Sequence, residues 1–226
     1  MAYKWGTFIE TLSAPEGIKG SEGRATKNVQ MNQDAIFLLD NNGQLFVIGA
    51  STRGVLGLGH ERKIVSELTH VAPELKFMEI SLGSNHVLAI SEEGQLYAWG
   101  DNQYGQLGIG DQTEMVQTPT LVAKVDNMCF DFVLSIENSS FAINEEGDVY
   151  AFGDNQVNSG ILGLNNKSFT NLPVQIENLK DVSKIVASTQ IVEDRDGPRK
   201  IYQVAAIKRA PQPEKNHDVF ANLPTE

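Results

Sequence analysis

Five glycines recur at a single offset along the chain. Gly43 and Gly94, Gly49 and Gly100, Gly54 and Gly105, Gly57 and Gly108, and Gly59 and Gly110 are each 51 residues apart. A period of this length belongs to folds that stack copies of one supersecondary unit, because each unit exposes an apolar face that its neighbour must cover. Segment Asp34–Gly59 reads DAIFLLDNNGQLFVIGASTRGVLGLG and segment Asn85–Gly110 reads NHVLAISEEGQLYAWGDNQYGQLGIG. A third copy, Ser139–Leu164, reads SSFAINEEGDVYAFGDNQVNSGILGL. Gly147 and Gly153 follow Gly94 and Gly100 by 53 residues, whereas Gly160 and Gly163 follow Gly105 and Gly108 by 55. The third copy has therefore gained two residues after Phe152-Gly153.

Each copy reads as β-structure. Val87–Ile90 is a short apolar run suited to a strand buried on both faces, and Glu92-Glu93-Gly94 is a tight polar turn whose glycine can take positive φ. Gln95–Trp99 returns as a second strand with aromatics on one face, and Gly105, Gly108 and Gly110 form a loop made for close backbone approach. Weaker apolar stretches, Phe77–Leu82 and Val182–Ala187, lead into the next copy. The expectation is all-β: β-propeller-type blades, about three clear four-stranded repeats plus a degenerate one, forming an open or truncated propeller. Residues 1–210 read as a single repeat domain, with repeats at about 30–80, 81–133 and 134–187, a remnant at 188–210, and a mobile polar tail at 211–226.

The ends depart from the pattern. Tyr3-Lys4-Trp5-Gly6 looks like the strand ending Tyr97-Ala98-Trp99-Gly100, detached from its own first strand. Tyr3–Phe8 is expected to pair with a blade edge. Glu193–Lys200 reads as a charged turn, and Ile201–Ile207 as a strand that completes or caps the last blade.

Composition excludes several classes of function. The net charge of −11 opposes nucleic-acid binding and favours a basic partner surface. No run of eighteen apolar residues offers membrane insertion, and no signal peptide is visible. Cys129, between Met128 and Phe130, reads as a small buried hydrophobe. There is no phosphate-cradling motif ending in Gly-Lys-Ser/Thr, no nucleophile elbow and no set of metal ligands, so no cofactor, no metal and no covalent catalysis are expected. Asp101, Asp111 and Asp154 sit in glycine-rich turns and read as turn formers.

Gly83-Ser84-Asn85-His86, Gly94, Trp99-Gly100 and Tyr104-Gly105-Gln106-Leu107-Gly108 together resemble the repeats of the regulator of chromosome condensation family. The resemblance covers roughly residues 34–190 and implies blades of a propeller that has seven in that family. It also implies an interaction module: an exchange factor for the small GTPase Ran, another GTPase regulator, or an adaptor. His86 falls on the family's structural histidine. The spacing of Phe152-Gly153, Asp154–Ser159 and Gly160-Ile161-Leu162-Gly163 resembles the β-wedge insertion with which the exchange factor presses on its GTPase. The resemblance makes Asp154, Asn155, Gln156, Val157, Asn158, Ser159, Gly160, Ile161 and Leu162 candidate GTPase contacts. In it, Asp154, Asn155, Gln156 and Asn158 compete for hydrogen bonds while Val157, Ile161 and Leu162 pack. Glu137 occupies the slot of a partner-facing acid, whereas Thr189-Gln190-Ile191 does not match the next one.

Two functions stay open: a regulator of a Ran-like GTPase, by exchange or sequestration, and a passive scaffold for another protein. At most, the chain has guanine-nucleotide exchange activity. Its expected location is cytoplasmic or nuclear, including that of a host cell entered by a bacterial effector.

Overall fold

Polar turns and glycine loops divide the chain into short antiparallel strands. The computed structural model describes residues 3–4, 16–17, 21, 23–50, 53–59, 64–125, 127–155, 160–164, 168–194 and 197–210. All sixteen of its secondary-structure elements are strands. Two residues each form β1 (Tyr3–Lys4) and β2 (Glu16–Gly17). The first four-stranded sheet holds β3 (Thr26–Met31), β4 (Ala35–Asp40), β5 (Leu45–Ala50) and β6 (Ile64–Val71). The second holds β7 (Phe77–Leu82), β8 (His86–Ser91), β9 (Leu96–Asp101) and β10 (Met115–Leu121). The third holds β11 (Phe130–Ile136), β12 (Ser139–Asn144), β13 (Val149–Asp154) and β14 (Phe169–Gln175). A last hairpin pairs β15 (Val182–Asp194) with β16 (Gly197–Lys208).

Each sheet is an antiparallel meander in chain order, and the repeated residues pair in one register. His86 opposes Gly100 and Ile90 opposes Leu96, as Ser139 opposes Gly153 and Ile143 opposes Val149. Gly94 takes φ 78° in the tight turn between them, where a Cβ would also strike Cys129. The three hairpins predicted from the repeat are all present.

Alternation along the inner strands explains why they are apolar throughout. Val87, Ala89, Tyr97 and Trp99 face the first sheet and pack with Phe37, Leu39 and Val47. Leu88, Ile90, Leu96 and Ala98 face the third sheet and pack with Phe130, Tyr150 and Phe152. Phe141, Ile143, Val149 and Ala151 turn the other way, towards Val182 and Ile185 of the hairpin. Full burial of each such side chain contributes about 1.5–3 kcal/mol, so the three junctions between consecutive units are where the stability resides. Trp99 and Phe152 are both fully buried at successive junctions, as their shared repeat position predicts. The innermost strands add polar locks: Gln30 Nε2 donates to Ile80 O at 2.7 Å and Leu82 N to Gln30 Oε1 at 3.0 Å. At the next junction Ser135 N donates to Ser81 Oγ at 2.8 Å.

Three expectations change. β15 runs thirteen residues and takes in Glu193 and Asp194 of the segment read as a charged turn, because these find partners on β16, while residues 195–196 lie outside the described residues. Ile201–Ile207 does cap the last sheet, and Tyr202 and Ala206 pack on its apolar cluster. Tyr3–Lys4 pairs with Glu16–Gly17 in a local ribbon rather than with a blade edge, while Trp5–Phe8 lie outside the described residues. Cys129 is exposed, because it lies on the connection before β11 with its Cβ against the Gly94 turn, and only Phe130 beside it enters the core.

Candidate partner-binding face

In a four-stranded meander the first and third connections emerge at the same end. That end carries the β3–β4, β7–β8 and β11–β12 turns together with the glycine loops that follow β5, β9 and β13. One backbone bond per sheet ties the loop to the turn: Ala50 N to Asp34 O at 2.7 Å, Asp101 N to Asn85 O at 2.9 Å, and Asp154 N to Asn138 O at 3.0 Å.

The three turns are also bonded to one another. Asn32 Nδ2 donates to Ser84 O at 3.1 Å, Ser84 N donates to Glu137 O at 2.9 Å, and Ser84 Oγ donates to Glu137 Oε2 at 3.0 Å. They surround a recess of about 300 Å³ in which Asp34 and Glu137 are the acidic side chains. Glu137 sits at φ 50°, a left-handed conformation that costs a non-glycine residue free energy. The bonds from Ser84 hold it there.

His86 lies behind this recess, fully buried. Ser140 Oγ donates to Gln106 O at 2.7 Å, so its lone pairs receive the Nε2–H of His86 at 2.9 Å. Burial pushes the imidazole pKa down to about 3, which keeps the ring neutral. Its Nδ1 has no hydrogen-bond partner, and Gly83 packs so closely against the ring that a Cβ would collide with it. Among the described residues no group of three or more His, Cys, Asp or Glu could hold a metal ion. The described residues of this face are mostly polar.

The wedge candidates fall into two groups. Asp154 and Asn155 are buried, and they fasten the base of the loop. Ser139 Oγ donates to Asp154 O at 2.6 Å. Asn155 Nδ2 donates to Leu164 O at 2.7 Å, and its Oδ1 accepts from Leu162 N at 2.9 Å. Ile161 and Leu162 are buried in the third apolar cluster, and Gly160 is exposed. Gln156, Val157, Asn158 and Ser159 lie outside the described residues. The second sheet carries the same clamp: Asn102 Nδ2 donates to Thr113 O at 2.8 Å and Oδ1 accepts from Leu107 N at 3.0 Å. Asn102 to Leu107 is five residues and Asn155 to Leu162 is seven, so the two extra residues sit inside the clamped loop. Sequence reasoning offers Asn155 as a partner contact and misses the clamp that it shares in kind with Asn102, although the repeated Gly-Asp-Asn after Trp99 and Phe152 is the signal. It also missed Asn32 and the bonds from Ser84 to Glu137.

Stacked four-stranded meanders, interlocked junction by junction without a closed ring among the described residues, define a β-propeller-type repeat protein. The profile of the "Regulator of chromosome condensation (RCC1) repeat" matches residues 93–136 and 146–192, and a second form of it matches residues 79–106. Residues 79–136 and 146–192 thus carry RCC1 repeats. It is 26% identical over 179 residues to the probable E3 ubiquitin-protein ligase HERC6 of Homo sapiens, covering 77% of this chain and 17% of that protein. It is 33% identical over 151 residues to the X-linked retinitis pigmentosa GTPase regulator of Homo sapiens, covering 66% of this chain and 14% of that protein. The chain thus spans under a fifth of the length of these two relatives. Among solved structures, yeast RCC1 (Prp20) bound to Kap60 matches with a TM-score of 0.67 at 22% identity, covering 80% of this chain and 44% of that one. Human WBSCR16 matches with a TM-score of 0.63 at 24% identity, covering 72% and 43%. Both likenesses concern the fold.

Proposed function

We propose that this chain binds a small GTPase of the Ran type through the face that carries Glu137 and the lengthened 156–159 loop, and that it acts there as a nucleotide-exchange factor. The observation that carries the reading is the two-residue extension of the Asn155–Leu162 clamp, hydrogen-bonded to the turn that presents Glu137. One similar protein is described as a GTPase regulator, and one structure of Prp20p reports its binding to Gsp1p and histones. A GTPase holds its nucleotide through phosphate contacts and Mg²⁺. A partner that binds the nucleotide-free form more tightly weakens nucleotide binding by the same factor. In this role Asp154, Asn155, Ile161 and Leu162 anchor the loop from within, and Gln156, Val157, Asn158 and Ser159 meet the partner. Glu137 supplies charge beside them. The role suits cytoplasm or nucleus, including a host cell reached by a bacterial effector.

The test shortens residues 156–159 to Gln-Tyr, the equivalent residues of the second repeat, and leaves Asn155 in place. GDP release from a Ran-type GTPase is expected to slow at least tenfold with the melting temperature unchanged. Equal release rates for both proteins, with binding retained, would establish the passive scaffold instead.

A further inference from the structure

Each glycine loop is shaped to receive the next unit's third and fourth strands. A Cβ on Gly57 would lie 2.6 Å from Trp99 Nε1, and one on Gly108 would lie 2.9 Å from Phe152 Cδ2. Trp99 Nε1 also donates to Val55 O at 2.9 Å. Gly54 meets Val116 of β10 and Gly105 meets Asn171 of β14 in the same way. The third loop keeps two of these glycines, yet among the described residues nothing lies within 4 Å of the Cβ position of Gly160 or Gly163. Instead a groove of about 310 Å³ opens there, lined by the loop and by Tyr202, Val204 and Ala206 of β16.

The hairpin explains the vacancy. β15 packs on β11 and β12 as β11 packs on β7 and β8, so β15 and β16 stand where the first two strands of a fourth unit belong. Among the described residues no strand pairs with the outer edge of β16. An unpaired edge beside an apolar groove invites strand addition. The strand that fits carries an aromatic followed by glycine, as in Tyr97-Ala98-Trp99-Gly100 and Tyr150-Ala151-Phe152-Gly153. The chain contains one further such sequence, Tyr3-Lys4-Trp5-Gly6.

We propose that the edge of β16 binds Tyr3–Gly6 of a second copy of this chain, with Trp5 seated in the groove at Gly163, and that two copies exchange these segments reciprocally. Reciprocity leaves no site unfilled and closes the assembly as a two-fold dimer. The first sheet and the hairpin lie at opposite ends of the series of junctions, which favours exchange between copies over closure within one.

The experiment follows oligomeric state by light scattering over a dilution series, together with iodide quenching of tryptophan. Trp99 is fully buried, so quenching reports on Trp5, the other of the two tryptophans. The expected result is a dimer in which Trp5 is protected and from which dilution releases a quenchable monomer. Trp5→Ala and Val204→Lys should each weaken dimerisation at least tenfold. Val204 is 37% exposed, so its substitution should leave the melting curve unchanged. An equimolar mixture of the two variants should recover a heterodimer, because one intact groove then meets one intact Trp5. A monomer at all concentrations overturns the proposal. So does a monomer with Trp5 protected regardless of concentration, which would place the segment on its own chain, and so does a mixture that stays monomeric.

Discussion

Ser84 and Glu137 meet across the junction of the second and third sheets, where the serine gives both its backbone N–H and its hydroxyl to the glutamate. The acid on the candidate partner-binding face is therefore held by its neighbour in the adjacent unit.

Glu137→Gln keeps an oxygen for the Ser84 hydroxyl and removes the charge. The melting temperature should stay within a degree or two, while affinity for the nucleotide-free GTPase falls at least tenfold, about 1.4 kcal/mol. Calorimetric titration compares the two affinities, and equal values would remove Glu137 from the interface.

Asn155→Ala and Asn102→Ala each leave a buried backbone N–H and a carbonyl without their side-chain partner. Each should cost about 1–3 kcal/mol in urea unfolding. Should Asn155→Ala match the wild type, the asparagine clamp has no structural weight.

Trp99→Ala empties a site closed off by Phe37 and Phe77 and abolishes the bond to Val55 O. A loss of about 3–5 kcal/mol is expected. Trp99→Phe should recover most of it, since Phe152 fills the equivalent site without an N–H. Failure of phenylalanine to rescue would shift the weight from packing to the indole hydrogen bond.

Glu79 has its pKa raised from 4.5 to about 7, first by burial and then by the carboxylate of Asp131, against opposing effects of Lys27 and Lys184. The folded state therefore keeps a proton between these values that the unfolded chain has released. With more protons bound in the native state, stability falls as pH rises through that window. Asp131, also shifted upwards by burial, acts in the same sense. Unfolding free energy should be lower at pH 8 than at pH 5, and Glu79→Gln should flatten the slope and stabilise the protein at pH 8. A variant with the parent's slope would assign the effect to other groups.

What could be read from sequence and what could not divide on physical lines. The fixed glycine offset and the apolar runs at Val87–Ile90 and Phe141–Ile143 report local geometry and two-sided burial, so the sheets and their junctions were legible. The Phe152-Gly153 insertion was legible as a count, and its position inside the asparagine clamp was not, because Asn155 and Leu162 meet only through a hydrogen bond. β15 and β16 were misjudged at their shared end, since the acidic Glu193 and Asp194 read as a turn and extend the strand only by pairing with Pro198 and Gly197 of β16. Cys129 shows the reverse error: apolar neighbours do not bury a residue on a connection between sheets.

The Gly57–Trp99 and Gly108–Phe152 contacts have a consequence for synthesis. Each glycine loop is completed by an aromatic residue that lies 42 or 44 positions later in the chain. At about 5–20 residues per second on the ribosome, a finished loop waits roughly 2–9 s for the side chain that covers it. Every unit thus emerges with one face bare, and maturation follows translation nearly one unit behind. Codon choices that slow the ribosome just before Trp99 or Phe152 would prolong that exposure, and those two stretches are where the nascent chain most needs a chaperone.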